Sequence, residues 1–150
     1  MAAGDVIKVV IDEPRENRSE KIRVLLVDDD DFIHETVELL LAETRYSLTS
    51  AESVEKAMMV ILSEPPDIII TDAMMPGESG FSLISRVKSL PQASHIPIIL
   101  WTILEDVNGG VMDASLRADL TATKPFYASD ILKSLEDAER IIAYRKIAVA

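Results

Sequence analysis

The amino-acid sequence predicts an α/β domain, a doubly wound parallel sheet of five strands with helices on both faces. Three observations carry that prediction. From Lys21 onward, short β-rich apolar runs alternate with amphipathic stretches of helical period, the rhythm of successive βαβ units. The runs IRVLLV, DIIIT and IPIILW are apolar almost throughout rather than at every second residue, as strands covered on both faces are. Polar and acidic residues then stand directly behind those runs, where open parallel sheets place their ligand sites.

Taken in order, Ile22–Val27 is the first strand. A helix from Asp31 to about Thr44 follows, with Phe32, Ile33, Val37, Leu40 and Leu41 at helical spacing. Asp30 or Asp31 suits its N-cap, since a short carboxylate accepts an orphan backbone N–H and matches the helix dipole. Tyr46–Ser50 reads as a short strand, and Val54–Leu62 as a helix stopped by Pro65-Pro66. Asp67–Thr71 is the third strand. Ser79–Leu90 is helical behind the Pro76-Gly77 turn, and Ile96–Trp101 is the fourth strand, with Trp101 in the core. Residues 105–117 form a weak helix, because each glycine of Gly109-Gly110 is worth about 1 kcal/mol less than alanine there. Leu120–Thr123 is the fifth strand. Ser129 or Asp130 caps a final helix with the stripe Ile131, Leu135, Ala138 and Ile142, which runs to Arg145 or beyond. Right-handed crossovers join the units.

The chain of 150 residues fits one domain, spanning 21–145. Residues 1–20 differ in character: VIKVVI reads as an added edge strand and, equally, as part of a charged arm ending in DEPRENRSE. Residues 146–150 are a tail or the start of a linker. No cysteine is present, which excludes disulfides and thiolate metal sites. No apolar run reaches the roughly 18 residues of a membrane span, and the start lacks the pattern of a signal peptide. The expectation is a soluble, cytoplasmic protein. The net charge of −11, from 26 acidic and 15 basic residues, argues against nucleic-acid binding by this domain.

The chemistry lies at the strand ends. Asp28 and Asp29 follow strand one, Asp72 follows strand three, Thr102 ends strand four and Lys124 ends strand five. Parallel strands bring those ends to one rim. Two carboxylates about 4 Å apart repel by roughly 4 kcal/mol at an effective dielectric near 20, so such a cluster raises a pKa or holds a cation. Oxygen ligands without histidine or cysteine favour Mg²⁺. His34 on the first helix and His95 in a loop read as neither ligands nor phosphodonors.

These residues resemble the receiver domains of two-component response regulators over about residues 21–142. VLLVDDD resembles the family's acidic pair, PDIIITDAMMPGESGF its phosphoacceptor segment, IPIILWT its switch hydroxyl and TKPF its lysine. The resemblance implies a flavodoxin-like (βα)5 fold with strand order 2-1-3-4-5. It implies Asp72 as phosphoacceptor from a histidine kinase or histidine phosphotransfer protein. Mg²⁺ would be held by Asp28, Asp29, Asp72 and the Met74 backbone carbonyl, and Lys124 and Thr102 would bind the phosphoryl oxygens. An output domain or partner protein would read the switch. The outer part of the last helix, with Ile141, Ile142, Tyr144 and Ile147, reads as a lead to an output domain or a homodimer contact and, equally, as a frayed terminus.

The sequence also departs from the family. Thr121 stands where an aromatic switch residue is usual, and Ile103 stands where a small residue is usual. With Met74 and Leu104 flanking the water's path, the expectation is slow self-dephosphorylation. Two other functions compete with this one. A pseudo-receiver would keep the fold without phosphorylation. A phosphohydrolase would want an acid two residues after its nucleophile, where this chain has Met74. The five glycines fit no nucleotide fingerprint.

Overall fold

The computed structural model describes residues 21–102, 118–123 and 128–149. Its elements are β1 (Ile22–Val27), α1 (Asp31–Leu41), β2 (Tyr46–Ala51), α2 (Val54–Ser63), β3 (Ile68–Asp72), α3 (Gly80–Lys88), β4 (Ile98–Thr102), β5 (Leu120–Thr123) and α4 (Ala128–Val149). All strand pairs are parallel, in the order β2-β1-β3-β4-β5. This is the doubly wound sheet expected, its order reversing between β1 and β3.

The unbroken apolar runs have a direct explanation in the packing. Val24 and Leu26, Ile68 and Ile70, and Ile99 and Trp101 face one side, where Val37 and Leu41 of α1 and Ile131, Leu135 and Ala138 of α4 cover them. The alternate residues Leu25, Val27, Ile69, Ile98 and Leu100 face the other side, against Val54, Ala57, Met58 and Ile61 of α2 and Leu83, Ile84 and Val87 of α3. Each strand therefore feeds two cores, so neither set of alternate positions is left for polar residues. Trp101 is buried, as expected.

Several boundaries move from their expected places, each for a local reason. α1 stops at Leu41, three residues short of Thr44. Glu43 takes a left-handed φ of 64°, and the Thr44 hydroxyl donates to the Leu41 carbonyl at 2.6 Å, closing the chain into a turn. β3 is shifted one residue towards its carboxyl end. Asp67 is drawn into a reciprocal pair with Arg23, its carboxylate accepting the Arg23 N–H at 2.8 Å and its own N–H donating to the Arg23 carbonyl. β4 begins at Ile98 rather than Ile96, because Pro97 has no N–H to give the ladder. Ser79 is the cap of α3 rather than its first residue. α4 begins at Ala128, so Ser129 and Asp130 lie in its first turn and neither is its cap. The same helix continues through Val149, in keeping with a helix that runs to Arg145 or beyond. The arm 1–20, the weak helix 105–117 with Gly109-Gly110, Ile103, Leu104, Lys124 and Tyr127 lie outside the described residues.

Candidate functional site

The site grows out of the strand register. Val27 pairs with Thr71 across β1 and β3, so Asp28 and Asp72 each stand one step beyond that pair. The Asp28 N–H donates to the Ala51 carbonyl at 3.1 Å, extending the β1–β2 ladder into the loop. Its Oδ1 then accepts the Asp30 N–H at 2.9 Å, turning the chain. Asp30 is the N-cap of α1, its Oδ1 accepting the Phe32 N–H at 2.9 Å. The acidic run is thereby divided: Asp30 serves the helix, and Asp28 and Asp29 are held ahead of it.

Asp72 is the last residue of β3 and is half-buried. Behind it, the Ala73 N–H donates to the Trp101 carbonyl at 3.0 Å, and the Gly80 N–H donates to the Ala73 carbonyl at 2.9 Å. The backbone of α3 presses so closely on Asp72 that a Cβ at Gly80 would lie 2.0 Å from the Asp72 carbonyl oxygen. Between them, Gly77 takes a left-handed φ of 84° in the Pro76-Gly77 turn. The Ser79 hydroxyl accepts the Ser82 N–H at 3.3 Å. Glu78 accepts from the Ser82 hydroxyl and from Arg86, each at 2.8 Å, and the Ser82 bond foremost holds its carboxyl below the usual range. Met74 is exposed on this loop.

One carboxylate oxygen from each of Asp28, Asp29 and Asp72 lies within 4.8 Å of the others. Asp28 is buried, Asp72 half-buried and Asp29 exposed. That gradient, one open side and two sheltered ones, with oxygen donors alone, suits a hard cation that retains waters. Further along the same rim, Asp72 pairs with Trp101 and Trp101 with Ala122, while Thr102 pairs with Thr123 at the ends of β4 and β5. The structure thus brings Asp28, Asp29 and Asp72 together and ends the backbone of β4 at Thr102 beside them. Lys124 is the residue after β5.

Two residues that support the site carried weaker signals in the sequence. Gly80 is a helix-weakening residue in the first position of a helix, a sign that something approaches closely. His34 lies three and seven residues before the buried Val37 and Leu41, a polar group on the inner stripe of α1. Its Nε2 stands 2.6 Å from the Asp28 carbonyl oxygen.

In a doubly wound α/β domain ligands bind at the switch point outside the carboxyl ends of the strands, and here that point carries a triad of carboxylates. The comparisons with known proteins give the family. Residues 24–136 match the family model of the response regulator receiver domain, and the chain belongs to that family. It is 33% identical over 113 residues to the phosphate regulon transcriptional regulatory protein PhoB of Pseudomonas aeruginosa, covering 75% of this chain and 49% of that protein. It is 33% identical over 115 residues to the regulatory protein VanRB of Enterococcus faecalis, covering 77% of this chain and 51% of that protein. This chain therefore spans about half the length of these relatives. Among solved structures, a putative response regulator from Chloroflexus aurantiacus superposes with a TM-score of 0.73 at 30% identity, covering 82% of this chain and 98% of that one. A chemotaxis response regulator of Vibrio cholerae gives 0.72 at 26% identity, covering 79% and 98%. No helix among the described residues is long and apolar enough to cross a membrane.

Proposed function

We propose that this receiver domain accepts a phosphoryl group on Asp72 from the phosphohistidine of a cytoplasmic histidine kinase or phosphotransfer protein, with Mg²⁺ bound at Asp28, Asp29, Asp72 and the Met74 carbonyl. The observation that carries the proposal is the convergence of three carboxylates from two strand ends within 4.8 Å. A bound Mg²⁺ would offset the charge of the carboxylates and of the incoming phosphoryl oxygens. An Asp72 carboxylate oxygen forms a bond to phosphorus while the donor's nitrogen–phosphorus bond breaks. The electron pair stays on the imidazole nitrogen, which takes up a proton. Asp28 is fixed by its hydrogen bond from Asp30, and the Asp72 backbone is fixed by its pairing with Trp101 of β4. The backbone that carries the nucleophile therefore needs little reorganisation before attack. Lys124 and Thr102 belong to this proposal as partners of the phosphoryl oxygens.

The chain does no chemistry on a separate substrate in this reading; it takes up and loses its own phosphoryl group. Bulky Ile103, Met74 and Leu104 make the loss slow, and a half-life of seconds without a phosphatase would contradict that part. The decisive experiment is incubation with acetyl phosphate and Mg²⁺, followed by intact mass. Wild type gains one phosphoryl mass, and Asp72→Asn gains none. A wild type that stays unmodified, with beryllofluoride also producing no spectral change, would favour a pseudo-receiver instead.

A further inference from the structure

We propose that His34 is a positioning residue for the cation site: it sets the orientation of the Asp29 carboxylate through the peptide that joins Asp28 to Asp29. This rests on the assignment of that site to a divalent cation made above.

The argument begins with the direction of a helical side chain. Residues of a helix lean towards its N-terminus, so His34, in the first turns of α1, reaches back over the loop that precedes it. Its Nε2 lies 2.6 Å from the carbonyl oxygen of Asp28. A carbonyl oxygen only accepts, so Nε2 carries the proton and donates. Nδ1 is buried, with no hydrogen-bond partner among the described residues. Among the described residues the ring has one hydrogen bond, and that bond is with the acidic loop rather than with its own helix.

What the contact fixes follows from peptide planarity. The Asp28 carbonyl, the Asp29 N–H and the Asp29 Cα lie in one plane. The far side of Asp28 is already held, its N–H on the Ala51 carbonyl and its carboxylate on the Asp30 N–H. Holding the carbonyl as well removes the remaining freedom of that peptide to rotate. Asp29 is the exposed member of the cluster, so packing does little to aim its side chain. Its backbone has to do so. Asp30 anchors that backbone to α1 on one side as the helix cap, and the His34 bond anchors it on the other, at the Asp28 carbonyl. Partners of this kind, one bond behind the ligands, typically alter metal affinity by about 10- to 100-fold.

The test compares two amides of different reach. In His34→Gln the amide nitrogen sits about where Nε2 does and still donates to the Asp28 carbonyl. In His34→Asn it sits at the level of Nδ1 and falls short. Mg²⁺ affinity, read by calorimetry and by the fluorescence of Trp101, is expected to fall about tenfold in His34→Asn and to stay within about threefold of wild type in His34→Gln. Melting temperatures without Mg²⁺ serve as the control for a role in folding alone. Equal Mg²⁺ affinity in the two variants, whether both match wild type or both are weakened, would overturn the assignment. The phosphoacceptor reading fails separately: if wild type takes up no phosphoryl group at Asp72 while Mg²⁺ binding still follows the Gln–Asn difference, that reading falls and the role of His34 stands.

Discussion

At the amino end of the sheet, carboxylates meet guanidinium groups and join elements far apart in sequence; at the carboxyl end, three carboxylates converge. Glu139 of α4 accepts from Arg45 at 2.7 and 3.2 Å and from the Tyr46 hydroxyl, fastening the last helix to the start of β2. Asp119 takes the Ile98 N–H at 2.8 Å and Arg145 at 2.5 Å, and Arg145 also donates to the His95 carbonyl at 2.7 Å. These contacts draw α4, β4 and β5 together. At the opposite rim, Asp28, Asp29 and Asp72 crowd within 4.8 Å. One end uses its acids to hold the fold. The other brings three of them together at the proposed cation site, and their mutual repulsion works against stability there.

Substitutions at the two ends should separate these roles. The largest effect is expected at Gly80. A methyl group there would meet the Asp72 carbonyl at 2.0 Å, a clash with backbone that only movement of β3 or α3 relieves. Gly80→Ala should lose about 3 kcal/mol in urea unfolding and bind Mg²⁺ more weakly, since the displaced atoms carry Asp72. Unchanged Mg²⁺ affinity would mean that the helix moves and the site does not. Glu139→Ala comes next. It removes the acceptor of Arg45 and of the buried Tyr46 hydroxyl, and should lose about 2 kcal/mol with Mg²⁺ affinity intact. A loss of Mg²⁺ binding in that variant would show that the two ends are coupled.

The difference between the ends also explains what could be seen in the sequence. Strand order, both helical faces and the convergence of Asp28, Asp29 and Asp72 follow from periodicity, from the resemblance and from parallel strands. Those features depend on residue type and spacing alone. The knot at the amino end was invisible, because Arg45 and Glu139 are distant in sequence and nothing local marks either as a partner. The shifted start of β3 has the same cause: Asp67 leaves the strand for Arg23, a residue on another strand. His34 and Gly80 stood in between. Each is anomalous in its helix, but only the geometry shows that both anomalies point at the loops carrying the acids.

Asp29→Asn inverts the usual sign of a substitution. Asp29 is exposed, and its charge faces two others across a partly solvated gap, a repulsion of about 1 kcal/mol per pair at 4 Å in water. Without Mg²⁺ and at low ionic strength, the variant should be more stable than wild type by up to about 2 kcal/mol, and added salt should shrink the gain. With saturating Mg²⁺ the order should reverse, because only wild type gains stability from binding. A variant less stable than wild type in both conditions would show that Asp29 does structural work like the acids at the other end.

The smallest effect expected is at Tyr46, and its pH dependence makes it the sharpest test of the amino end. Burial first, and then its hydrogen bond to Glu139, raise the Tyr46 hydroxyl above its ordinary value of 10.0. In the unfolded chain the phenol loses its proton near pH 10, while in the folded chain it keeps it to higher pH. Above pH 10 the unfolded state therefore binds fewer protons, and stability falls as pH rises. The contribution of Tyr46 is fully present below pH 10 and is lost progressively above it. Tyr46→Phe should be less stable than wild type by about 0.5 kcal/mol at pH 7, since Glu139 keeps Arg45. That gap should close as the pH passes 10, because phenylalanine has no proton to lose. Urea unfolding of both proteins at pH 7 and pH 10.5 gives the comparison, and a gap that stays constant would mean that the hydroxyl is not held in its protonated form by the fold.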